Sequence, residues 1–202
     1  PLGMKHSSFI WDGSKGYDQA EFYNTDGTKA KHYRYTSLAA TSLYTSLSDL
    51  ERFFQVFLEG ENDEPIGRNV IKPETLKKMR VPHASTMGMD IWGLGTILYT
   101  NTDNGDFIIG HDGKSTPPIN SAIRLNPETG DGIIVLETGN TLLATKLASE
   151  WVFWKSGKVD IFLFTMMEAN MVKNIGIGII AIIIIVITVA VVRSYKTKAN
   201  AK

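Results

Sequence analysis

The stretch Ile119-Asn120-Ser121-Ala122-Ile123-Arg124-Leu125-Asn126-Pro127-Glu128-Thr129-Gly130-Asp131-Gly132-Ile133-Ile134-Val135-Leu136 decides the fold. Ile119, Ser121, Ile123 and Leu125 alternate onto one face, the period of a half-buried strand. Residues 126–132 supply Asn, Pro, Asp and two Gly, a hairpin loop by turn chemistry. Residues 133–136 are apolar on both faces, which predicts a sheet covered by helices on both sides. Asn140 then stands where it can cap a helix with the stripe Leu143, Leu147, Trp151 and Trp154, ending near Gly157. On that stripe Trp151 and Trp154 read as core.

Working upstream, residues 91–100 and 107–111 read as further strands, separated by the turn-like residues 101–105. Pro73 opens a short helix through about Arg80, stopped by Pro82. Before it, Ser48 and Glu51 have capping-box spacing, and Leu50, Phe53, Phe54, Phe57 and Leu58 recur at helical intervals, with Gly60 at the C-cap position. Residues 1–37 and 61–72 read as loops and turns. The fold class expected is α+β, an antiparallel sheet flanked by helices.

The whole chain has 202 residues, with 21 Lys+Arg against 21 Asp+Glu. A net charge of zero lacks the basic excess of a nucleic-acid binder. With 43% hydrophobic residues and no Cys, the chain is no disordered polymer, disulfide scaffold or thiolate site. His6, His32, His83 and His111 show no metal-ligand spacing, so neither metal nor cofactor is expected.

Residues 175–192 contain nine Ile, four Val, two Gly, two Ala and Thr188, with no charge. As a helix this run is about 27 Å long, the thickness of a bilayer's hydrocarbon core. A transmembrane helix is expected here, with 158–174 as a juxtamembrane segment and 193–202 as a tail. Arg193, Lys196, Lys198 and Lys202 place that tail in the cytoplasm by the positive-inside rule, and residues 1–157 outside. An exported domain needs a signal peptide. The chain opens at Pro1 without Met or an apolar leader, so more chain is expected upstream.

Five segments in order carry a family resemblance. They are Pro1-Leu2-Gly3-Met4 with Ser8-Phe9, the helix around Ser48-Asp49-Leu50-Glu51-Arg52-Phe53, the expected strand Trp92-Gly93-Leu94-Gly95, the motif Gly110-His111-Asp112-Gly113, and Asn126-Pro127-Glu128-Thr129-Gly130 followed by Gly139-Asn140. Together they resemble the serine β-lactamase and penicillin-binding-protein superfamily, in particular its class C and esterase-like branch. The resemblance implies the C-terminal portion of a β-lactamase/transpeptidase-like domain over 1–157, incomplete because the Ser-x-x-Lys and Tyr-x-Asn elements would lie earlier. No Lys in the chain has Ser three residues before it; Thr28/Lys31 and Thr75/Lys78 share the spacing only. Tyr99-Thr100-Asn101 fits Tyr-x-Asn formally, but reads as a strand end.

The third motif is carried over by that resemblance. His111 would hold an anionic substrate group or the tetrahedral oxyanion, Gly113 would permit close backbone approach, and Lys114 would offer an oxyanion N–H. The family commonly continues with Gly and Pro-Gly. Here Lys114-Ser115-Thr116-Pro117-Pro118 is bulkier, which alters the pocket. The implied parent is a membrane-anchored serine hydrolase cleaving an amide or ester of a small-molecule or peptide-like substrate, with this chain alone inactive. A non-catalytic binding or regulatory domain of the same fold, and a structural membrane module, remain as alternatives.

The anchor is directly testable. Ile184→Asp is expected to weaken membrane insertion by about 2.5–3.5 kcal/mol. The whole chain should fractionate with membranes and a chain ending at Gly157 should not. Soluble behaviour of both refutes the anchor.

Overall fold

Alternating patterns in the second half of the chain condense into one antiparallel sheet whose spatial order is the chain order. Its strands are β1 (Ala84–Thr86), β2 (Met89–Trp92), β3 (Ile97–Asn101), β4 (Phe107–Ser115), β5 (Ile119–Leu125) and β6 (Gly132–Thr138). The helices are α1 (Leu38–Thr41), α2 (Leu47–Phe54) with a 3-10 turn at Gln55–Phe57, α3 (Pro73–Met79), α4 (Leu143–Ser156) and α5 (Ile161–Ala199). This is the α+β architecture expected. The computed structural model describes residues 1–11 and 18–199. It divides into two compact units, Pro1–Leu163 and Phe164–Lys202.

In the first unit, hydrophobic burial works on both sheet faces. One face packs Leu98, Ile109 and Leu125 against Val56, Phe57 and Leu76 from the 3-10 turn and α3. The other packs Ile91, Ile97, Tyr99 and Ile108 against Val152 of α4. Ala122 of β5 meets Ala144 and Ala148 of the same helix. Small side chains let α4 lie close to the sheet. At the sheet's edge, coverage fails. Ile133 and Val135 of β6 turn toward the α4 alanines, while Leu136 on the other face is 46% exposed.

Three details depart from the sequence reading. Ser46, rather than Ser48 with Glu51, caps α2, its hydroxyl accepting the Asp49 N–H at 3.2 Å. The helix tightens into 3-10 and ends extended at Leu58, so Gly60 is no left-handed cap. Residues 91–100 form two strands: Gly93-Leu94-Gly95 is the turn between β2 and β3, with Gly95 at φ +69°. A Cβ at Gly93 would lie 2.1 Å from the Met79 carbonyl oxygen, so glycine is required by close approach.

The predicted stripe of α4 is also displaced. Leu143, Leu147 and Trp154 are 43%, 48% and 75% exposed, whereas Ala144, Thr145, Ala148, Ser149 and Val152 face the sheet. Only Trp151 of the stripe packs against the core. Asn140 does serve the helix start, its Oδ1 accepting the Leu142 and Leu143 N–H groups, and Glu137 and Asn120 take those of Ala144 and Thr145.

The N-terminal segment is tied down at Asp49. Its buried carboxylate accepts the His6 N–H (2.7 Å), the Ser7 hydroxyl (2.8 Å) and Arg52 (2.9 Å). Burial alone would raise this carboxyl, but these donors outweigh it and hold it below the ordinary value.

In the second unit, Lys173–Ala190 of α5 is long and apolar enough to cross a membrane, with a mean hydropathy of 2.4 and no part buried. The side chains of Arg193, Lys196, Lys198 and Lys202, which carry the orientation argument, lie outside the described residues, as do those of Glu168 and Asn170.

Behind β4, Arg124 is completely buried between Asp112 and Asp160, 3.0 Å from each carboxylate. Burial raises the Asp160 carboxyl, against the pull of Arg124 and the Leu163 N–H. A raised native value means that its contribution to stability is full below the unfolded value of about 3.9 and is lost as pH rises through the native one. The stability of the protein relative to Asp160→Asn should therefore decline as pH rises above about 4 and through the raised native value. Parallel unfolding curves for the two proteins across that range would contradict this.

Candidate functional site

Strand β4 carries all three residues singled out by the sequence. Its first half is flanked on both sides, by β3 and by β5. Ile97 is the last β3 residue in register, opposite Gly110, and among the described residues the segment 111–115 pairs only with β5. Antiparallel geometry sends alternate N–H and C=O groups of such a segment toward the unpaired side. The third motif thus begins where the sheet opens.

His111 stands at that opening with an exposed side chain. Its Nδ1 lies 2.8 Å from the Asp112 carbonyl oxygen. A carbonyl can only accept, so Nδ1 carries the proton and the neutral ring presents a bare Nε2. Neutral His111 therefore offers an acceptor; it becomes an oxyanion donor through Nε2 only when protonated.

Gly113 pairs with Ser121, and a Cβ at Gly113 would lie 2.4 Å from the Ser121 hydroxyl oxygen. The glycine makes room for a side chain of this same sheet face. Lys114 pairs with Asn120 and, by strand alternation, points its exposed side chain to the face opposite His111. The Gly113 carbonyl accepts the Asn120 side-chain amide at 3.0 Å. At the strand's end Ser115 donates to the Pro117 carbonyl (3.1 Å) and the Tyr35 hydroxyl to that of Thr116 (2.7 Å), which holds the bulky turn in place.

The formal motif matches dissolve in the fold. Tyr99 is fully buried with its hydroxyl on Asp112 at 2.6 Å, and burial pushes its phenol well up. Thr28 bonds Asp26 in an exposed turn, and Thr75 is exposed on α3. Among the described residues no group of three or more His, Asp or Glu could hold a metal ion.

One constellation escaped sequence reasoning. His32 Nε2 lies 2.8 Å from the Tyr44 hydroxyl, Phe22 stacks on the His32 ring at 5.3 Å, and Trp11 sits 5.2 Å from Tyr44. Burial, then the charge of Arg34, lowers His32 below the usual imidazole value. These four aromatics come from segments without periodicity, so no local pattern joins them. Together they form a small core for the N-terminal segment, which also reaches Thr138 through the Tyr23 N–H.

Residues 1–150 match the family model described as Beta-lactamase. A search among curated proteins finds no match.

The two motif glycines should respond differently to a methyl group. At Gly110 a Cβ would meet the Ile123 carbonyl oxygen at 1.9 Å, backbone that cannot yield. Gly110→Ala should cost about 3 kcal/mol or more, the upper range of overpacking. Gly113→Ala should cost about 1 kcal/mol, and less in a Ser121→Ala background, since only a hydroxyl stands in the way. Thermal melts of the three variants and the double variant check this; an unchanged Gly113→Ala cost without Ser121 contradicts it.

Proposed function

The chain belongs to the Beta-lactamase family, with a serine-hydrolase-like fold, and from that premise we propose that it forms one wall of the site of a membrane-anchored serine hydrolase of the class C and esterase-like branch. The observation that carries the reading is the opening of the sheet at residues 111–115, with an exposed His111 at its start. A substrate backbone can align along such a half-paired strand, as an added strand does. Protonated His111 then holds an acidic substrate group or the oxyanion, and the Lys114 N–H is the nearby backbone donor.

The reaction class is acyl transfer to a serine and then to water, on an amide or ester. Because no Ser-x-x-Lys occurs among the 202 residues, the nucleophile and its base are supplied from outside them, and the chain alone does not turn over. That absence also favours a second reading, a non-catalytic binding domain of the same fold. The apolar helix supports anchoring by Lys173–Ala190, and the basic residues Arg193, Lys196, Lys198 and Lys202 that follow it in the sequence favour a domain outside the cytoplasm.

His111→Ala in the full-length parent should lower the acylation rate by ~100- to 1,000-fold, roughly 2.7–4 kcal/mol, with folding nearly intact. His111→Gln, which keeps a neutral donor, should recover part of that loss. Activity per folded molecule within a few-fold of wild type, with lowered thermal stability, would remove His111 from the site.

A further inference from the structure

Strand alternation turns Asp112, the neighbour of His111, to the opposite face of the sheet. There its carboxylate receives donors from three elements: the Tyr99 hydroxyl of β3 at 2.6 Å, the Thr145 hydroxyl of α4 at 2.8 Å and Arg124 of β5 at 3.0 Å. A residue held from three sides has a fixed peptide group, and the carbonyl of this residue accepts the His111 Nδ1–H. The tautomer and direction of the imidazole are therefore set from behind the sheet, as outer partners orient a metal-bound histidine.

The guanidinium that holds Asp112 also holds Asp160. Its Nε and Nη2 both lie 3.0 Å from Asp160 Oδ2, and its Nη1 donates to the Ile123 carbonyl at 2.9 Å. The other Asp160 oxygen accepts the Leu163 N–H at 2.9 Å, in the first turn of α5. Arg124 further lies 3.4 Å from the centroid of the Tyr99 ring. Two carboxylates, Asp160 fully buried and Asp112 nearly so, thus share one planar fork, and Asp160 fixes the guanidinium that in turn holds Asp112.

We propose that Arg124 and Asp160 are positioning residues for His111, which transmit the seating of the first turn of α5 to the imidazole. The inference rests on the reading that His111 lines the site. When Asp160 leaves, Arg124 loses one anchor, the peptide of Asp112 gains freedom and the Nδ1–H bond of His111 is released. The bare Nε2 then has no fixed direction. In this way the first turn of α5 and the opening of the sheet share one buried charge.

The test reads the imidazole itself by 15N NMR on the whole chain in detergent micelles. There are four histidines, and His111→Gln assigns the resonance. Wild type should show the Nδ1–H tautomer. Asp160→Ala should lose it in favour of a tautomer mixture, with faster amide exchange at residues 111–113 and at Leu163 together. Asp160→Asn, which keeps the capping oxygen, should give a smaller change and carries the comparison if Asp160→Ala does not fold. Leu76→Ala, a core change on His111's own side of the sheet, should lower stability and leave the tautomer alone.

An unchanged His111 in both Asp160 variants overturns the proposal. So does an equal change in Leu76→Ala at matched stability. Survival of the parent's activity in His111→Ala would instead remove His111 from the site and leave the tautomer result standing, so the two failures are distinct.

Discussion

The guanidinium of Arg124 is the point on which the first unit turns. It is fully buried, flanked by Asp112 and Asp160, and lies over the ring of Tyr99. A cation in that position is tolerable only because every side of it meets a carboxylate, a carbonyl or a π face. Removing one partner of such a buried set costs about 3–5 kcal/mol, since the others remain without compensation. The partners come from β3, β4, β5 and the start of α5. One side chain therefore fixes the mutual register of three strands and the point where the chain leaves the sheet.

That constraint explains the character of α4. A large side chain over β5 would wedge the helix away from the polar cluster, so Ala144, Thr145 and Ala148 take the inner face, and Thr145 itself donates to Asp112. Its larger apolar residues are displaced outward, which leaves Leu143, Leu147 and Trp154 exposed. Hydrophobic size and burial are inverted along this helix because the core beside it is partly ionic. The opposite face, under the 3-10 turn and α3, is a conventional apolar core of aliphatic and aromatic side chains and shows no such inversion.

The candidate site inherits its order from both sides. On the front, β4 outruns β3 at Gly110, and among the described residues the segment 111–115 is paired on one side only. From behind, Asp112 is pinned and its carbonyl selects the proton position on His111. Gly110 and Gly113 answer local demands of the sheet, backbone of Ile123 in one case and the Ser121 hydroxyl in the other. Glycine in this motif is thus explained by packing before any ligand is considered.

By itself the sequence determined the elements whose signals are local. The alternation of 119–125, the turn chemistry of 126–132, Pro73 at a helix start and the uncharged run before the basic tail each follow from neighbours along the chain. The α+β class and the family resemblance followed from the order of those pieces. Tertiary structure alone decided what depends on distant partners. Which face of α4 is buried was set by the polar cluster behind β4, and helical period could not see it. Gly93-Leu94-Gly95 became a turn because the carbonyl of Met79 leaves no room for a Cβ at Gly93. His111 could be named from its motif, but its tautomer depends on Asp112, and Asp112 depends on residues 12 and 48 positions further along. A charge pair formed across the sheet has no period in the sequence, so only the folded chain could bring it together.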